Sequence, residues 1–213
     1  MGAILGKESN GRGSRDGWLQ AAYAAFVEGG LDAVRIQPMA ERLKLSRTSF
    51  YWHFRDREDV VLALTELWEA HTTVPLIAAA RAYAASEAEA MLNVIGCFLR
   101  DATFDVRFEL AIRSGALQDA LIMERLLSAD RRRLAALSEL LQHWGHEPQD
   151  ADVRARTIYL VQIGYISMQV KEDIETRLLR VPNYVQIYTG GTPTLAEIER
   201  FHGQHDLNRG GAA

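Results

Sequence analysis

Apolar residues recur at three- and four-residue intervals along the 213-residue chain and strand-like alternation is missing, which predicts an all-α protein. Trp18, Ala22, Ala25 and Phe26 share one face of a helix running from about Arg15 to Glu28, stopped by Gly29-Gly30. Met39, Ala40, Leu43, Leu45 and Phe50 carry an apolar stripe through a short helix, a turn at Lys44 and the start of the next helix. Pro38 falls in the first turn of that short helix, where a missing amide costs little, and Ala40 is small enough for a crossing helix to approach. Such spacing fits two short helices packed at a steep angle, a helix-turn-helix. Ser46 reads as an N-cap whose hydroxyl accepts from the first turn, so the third helix starts at Arg47 and turns Phe50 and Phe54 inward. Asp56 caps a fourth helix from Arg57 toward His71, and Pro75 marks the boundary of the remainder.

The remainder reads as helices over 75–84, 86–101, 104–114, 118–144, 150–179 and, shorter, 194–203. Ser86-Glu87-Ala88-Glu89 forms a capping box, and Gly145 with Pro148 closes the long helix ending at Trp144. The predicted organisation is an arm over 1–14, a helix-turn-helix domain over 15–57, a connecting helix over 58–74, a larger helical domain over 75–203 and a tail over 204–213. The arm holds four glycines with Lys7 and Arg12. It is either a disordered leader or a basic strand reaching toward a minor groove.

The chemistry concentrates in the run Ser46 to Arg57. Arg47, Thr48 and Ser49 place a guanidinium and two hydroxyls at a helix N-terminus, the groups a recognition helix offers to base edges. Tyr51, His53 and Arg57 are candidates for phosphate, with a bracing hydrogen bond as the alternative role of His53. Trp52 is a groove wall or a backbone contact. A net charge of −4 opposes DNA binding until it is divided by position. Residues 1–57 hold nine Lys/Arg against six Asp/Glu, and the rest 15 against 22, so the positive charge sits at the reading end.

From about Arg15 to Leu64 the chain resembles the DNA-binding domain of TetR-family (tetracycline-repressor-like) transcription regulators. The residues that carry the resemblance are Ala21-Ala22, Phe26, Gly29-Gly30 and Ala33, then Met39-Ala40, Ser46 through His53-Phe54, and Asp56-Arg57-Glu58 with Val60 and Leu64. Two positions depart from the family pattern. Lys44 replaces the usual turn glycine, and Arg35 stands where a capping Thr or Ser is common, trading a cap for a phosphate contact.

The resemblance implies an N-terminal three-helix reading domain followed by a larger helical domain for ligand binding and dimerisation. Its implied activity is a repressor released from a palindromic double-stranded DNA operator when a small molecule binds. The last two long helices would pair with a second copy. Leu134, Leu137, Leu141 and Trp144, and Ile158, Val161, Gln162, Tyr165, Ile166 and Gln169, have the spacing for this or for intrachain core. Arg131 to Arg133 read as a solvated face. Phe98, Phe104, Phe108, Met123, Tyr159, Gln162 and Tyr165 are the candidate lining for an apolar or aromatic effector.

Enzyme chemistry finds little support. Glu199-x-x-His202 has no second copy to complete a di-metal carboxylate site, His143/His146 and His202/His205 read as exposed helix ends, and no glycine-rich phosphate loop occurs. The expectation is a non-enzymatic protein without cofactor or metal. Cys97 is the sole cysteine, which excludes an intrachain disulfide, and neither a secretory leader nor a membrane-spanning run is evident. A cytoplasmic setting is expected.

Overall fold

Ser14 begins the first helix, its hydroxyl accepting from the Gly17 amide at 3.1 Å, in a computed structural model that describes residues 11, 13–99 and 103–204. The protein is all-α. The first helices are α1 (Arg15–Gly29), α2 (Ile36–Leu43), α3 (Arg47–Phe50) and α4 (Arg57–Trp68); a π-helical segment over Glu69–Thr73 leads into α5 (Val74–Ala80). Then follow α6 (Glu87–Cys97), α7 (Val106–Ala116), α8 (Ala120–His143), α9 (Pro148–Ser167), α10 (Ile174–Thr189) and α11 (Leu195–Gln204).

The chain divides into two compact units. The first holds the residues up to Thr72 together with Asp105–Ala129; the second holds Thr73–Phe104 and the chain from Asp130 onward. The first boundary falls between Thr72 and Thr73, and α7 with the first part of α8 groups with α1–α4. The reason is apolar. Phe108 is fully buried against Tyr23 and Phe26, with ring centroids 4.9 and 6.2 Å away. Gly115 lets α7 approach α1 so closely that a Cβ there would lie 3.0 Å from Phe26 Cζ. Trp68 of α4 donates its indole N–H to the buried Glu109 of α7 at 2.7 Å.

Lys44 ends α2 in the left-handed region, φ 59° and ψ 44°. The turn therefore keeps the geometry that glycine usually supplies, with a side chain in it. Lys44→Gly is expected to raise the stability of the first unit by about 0.5–1 kcal/mol. A denaturation midpoint that falls instead would count against strain at this residue.

Two expected elements differ in the second unit, and one extends into an unassigned stretch. The helix expected over 86–101 ends at Cys97. The single helix expected over 150–179 is two: α9 stops where Gln169 turns left-handed at φ 49°, and Asp173 then caps α10 by accepting from the Thr176 amide at 2.7 Å. Helix α10 continues to Thr189 with Pro182 inside it, a stretch the sequence left unassigned.

The apolar stripes also need reassignment. Leu137, Leu141, Ile158, Gln162 and Ile166 are buried, while Val153 and Leu160 of α9, Met168 at its C-cap and Leu179 and Ile187 of α10 are exposed. Arg131 and Arg132 are solvated, but Arg133 is fully buried. Near the far end, the Ser86 hydroxyl donates to Glu197 of α11, and Thr194 adds two further donors, its amide at 2.6 Å and its hydroxyl at 2.8 Å. These bonds hold the Glu197 carboxyl below the usual carboxylate range. Apart from Gly11, Gly13 and Ser14, the expected arm lies outside the described residues, as does the tail beyond Gln204.

Candidate nucleic-acid interface

Helix α3 is a single turn, and it is held by backbone and aromatic packing rather than by a side-chain cap. Ser46 stands at the N-cap position in extended geometry without a capping hydrogen bond from its side chain, contrary to expectation. The Ser49 amide instead closes on the Ser46 carbonyl at 3.1 Å. Phe50 and Phe54 are buried and stacked, 5.5 Å apart at 28°. Trp18 meets Phe50 edge-on at 5.4 Å, and the Arg15 guanidinium lies 4.9 Å over the Phe54 ring. This aromatic cluster fixes the orientation of a helix too short to be stable alone.

Packing on that side leaves the opposite side in solvent. Arg47 and Thr48 are exposed and Ser49 is half-buried. Tyr51 is 57% and Trp52 77% exposed, large apolar surfaces that a folded monomer does not usually leave bare. Arg35 is exposed at the start of α2, in extended geometry and with no capping bond. Lys44, in the turn between α2 and α3, adds an exposed cation that the sequence argument treated only as a backbone problem.

Two expected phosphate ligands are engaged elsewhere. Arg57 donates from Nε to the Val34 carbonyl at 2.8 Å and from Nη2 to the Leu31 carbonyl at 2.7 Å. It ties the loop between α1 and α2 to the start of α4. His53 Nε2 is 2.6 Å from the Gly13 carbonyl oxygen. It braces the turn after α3 against the segment preceding α1, a different pair from the third and fourth helices. Gly13 thereby sits beside Leu45 and Ser49, so the chain before α1 leaves from next to the recognition turn. The Asp56 cap is as expected, its carboxylate accepting from the Asp59 amide at 2.9 Å.

The expected effector residues do not form one group. Phe108 and Met123 belong to the core of the first unit. In the second unit Phe98 and Phe104 pack at 4.7 Å, and Gln162 is buried. The Tyr165 hydroxyl is 3.0 Å from that of Tyr184. Tyr159 donates to Asp130 at 2.6 Å and accepts from Arg133 Nη1 at 2.8 Å. Arg133 also donates from Nε to Thr73 at 3.0 Å and lies 5.6 Å over the Phe104 ring. The sequence missed Arg133 because it ends a run of three arginines. Its register with Ala129 and Leu137, four residues to either side and both buried, is the signal that marks it as inward-facing.

An exposed turn on an aromatic base gives the first unit the form of a helix-turn-helix. The family model described as bacterial regulatory proteins, tetR family, matches residues 19–64. The same fold occurs in Salmonella enterica GusR, which is 14% identical, with a TM-score of 0.63 over 94% of this chain and 100% of that one. It occurs in the fatty acid degradation regulator FadR from Bacillus halodurans, 16% identical, with a TM-score of 0.62 over 87% of this chain and 98% of that one. Mycobacterium smegmatis AmtR is 16% identical with a TM-score of 0.54, over 94% of this chain and 97% of that one. No curated protein matches in sequence. The likeness to that family rests on residues 19–64, and the likeness to the solved structures is one of fold. Among the described residues no helix is long and apolar enough to cross a membrane.

Proposed function

We propose that the protein is a ligand-responsive repressor that binds a palindromic operator as a homodimer and leaves it when a small molecule occupies the second unit. The observation that carries the DNA-binding half is the bare surface of Arg47, Thr48, Tyr51 and Trp52 on a buried aromatic base. Arg47, Thr48 and Ser49 read base edges. Arg35, Tyr51 and Lys44 meet phosphates, and Trp52 packs on the sugar-phosphate wall. His53 and the Arg57 side chain position these groups, while the Arg57 amide, at the start of α4, remains available to a phosphate.

The second copy docks on α9 and α10. Val153 and Leu160 of α9 and Met168 at its C-cap expose an apolar stripe, with open space at Gly164 where a partner helix can come close; Leu179 and Ile187 continue it on α10. Two such helices from each copy make a four-helix bundle. A dimer also presents two reading heads, as a palindrome with half-sites roughly 34 Å apart requires.

The effector occupies the interior lined by Phe98, Phe104, Tyr159, Gln162 and Tyr165, an apolar surround with Arg133 and Tyr159 as polar handles. A ligand that prefers the DNA-incompetent dimer by about a hundredfold shifts the operator equilibrium by up to ~2.7 kcal/mol per site.

Binding-site selection tests the reading. Arg47→Ala and Thr48→Ala are expected to relax preference at one or two base pairs, each lost contact costing ~1–3 kcal/mol. Tyr51→Phe is expected to weaken all sequences alike. An unchanged preference in Arg47→Ala removes Arg47 from the base-reading set, and a monomer in sedimentation at working concentration removes the dimer.

A further inference from the structure

The second unit carries a cleft of about 400 Å³ between the segment Ala80–Ala84 and one face of α8. None of the residues expected to bind an effector lines it. Ala80, Ala136 and Leu140 are buried beneath it, and their small or flexible side chains leave the space open. Tyr83 stands at its edge 90% exposed, with its carbonyl accepting from Asn93 Nδ2 at 3.4 Å. Trp144 lines the other end, edge-on to His143 at 5.6 Å. Its indole N–H is out of contact with solvent and has no acceptor among the described residues, an arrangement that costs free energy unless something supplies one.

The polar groups at the cleft are unevenly divided. Arg81 and His143 can both donate; Glu139 is the one carboxylate in the lining. Arg81 and Glu139 are paired at 3.3 Å with side chains 66% and 62% exposed. A pair so solvated contributes little and re-pairs readily. The volume is at the lower end for a small-molecule site.

We propose that this cleft binds a small planar aromatic carboxylate. The ring lies over the alanine and leucine floor beside Tyr83 and Trp144, and the carboxylate draws Arg81 away from Glu139. The site is separate from the interior effector site proposed above and does not depend on it. Its occupancy is read by direct binding rather than by release from DNA.

Isothermal titration of the full-length protein with benzoate, 2-naphthoate and indole-3-acetate tests this, with 2-naphthalenemethanol as the neutral control. At least one acid is expected to bind saturably with Kd below about 1 mM, and the alcohol about tenfold more weakly than 2-naphthoate, the scale of one charge-assisted hydrogen bond. Arg81→Ala and Tyr83→Ala change exposed side chains and should each weaken the acid several-fold without moving Tm. No saturable binding by any of the three acids overturns the proposal. So does equal affinity for acid and alcohol, or binding indifferent to both Arg81→Ala and Tyr83→Ala.

Discussion

Glu109→Ala is expected to destabilise the first unit by about 3–4 kcal/mol, among the largest single-residue effects in the protein. Glu109 is fully buried on α7 and accepts from two sides, the Trp68 indole at 2.7 Å and Arg113 Nε at 2.8 Å. Alanine removes this acceptor from a buried indole N–H and this carboxylate from the Arg113 guanidinium. The Arg113 side chain keeps 19% exposure, so water recovers part of the loss and the effect stays in the lower part of the range for a broken buried pair. Glu109→Gln retains an acceptor for Trp68 and should lie between the two. Urea unfolding followed by tryptophan fluorescence measures this; a loss under about 1 kcal/mol would show that Glu109 is not the tie between α4 and α7.

The second large effect is at Phe50. Phe50→Ala removes the ring on which Trp18, Tyr51 and Phe54 converge at 5.4–5.5 Å, and is expected to cost about 3–5 kcal/mol. Helix α3 has four residues and cannot persist without this support. Operator binding should therefore fail for every sequence and at every salt concentration, with amide protection lost in α3. Arg47→Ala behaves differently: stability unchanged, base preference altered. A Phe50→Ala protein that still protects α3 would mean that the backbone bonds from Ser46 onward hold the turn by themselves.

What was legible in the sequence was local. The Phe50/Phe54 spacing, the Gly29-Gly30 stop and the Asp56 cap each act within a few residues, and each stands as read. The side-chain bonds of Arg57 were not legible locally. Its actual acceptors, Leu31 and Val34, lie 26 and 23 residues back. Phe108 was placed with the wrong group for the same reason, since Tyr23 and Phe26 reach it across more than eighty positions. Gln169 gave no warning of a helix end, being neither glycine nor proline, and Pro182 discouraged a helix that forms around it. Arg133 was hidden by its neighbours Arg131 and Arg132, although its register with Ala129 and Leu137 points inward. Long-range partners decide these cases, and periodicity does not encode them.

Cys97 offers a use that follows from its surroundings. It is the only cysteine in the chain, it is buried, and burial pushes its thiol up to about 12, with the nearby Arg133 charge opposing. A thiol held neutral and out of solvent is slow to react with oxidants or alkylating dyes. Any labelling of the native protein must therefore pass through an opening of the second unit, and the labelling rate becomes a clock for that opening. Since α6 carries this single reporter beside the Arg133 cluster, a molecule that seals the interior should slow the clock, which makes one unmodified cysteine a screen for effectors that needs no knowledge of the operator.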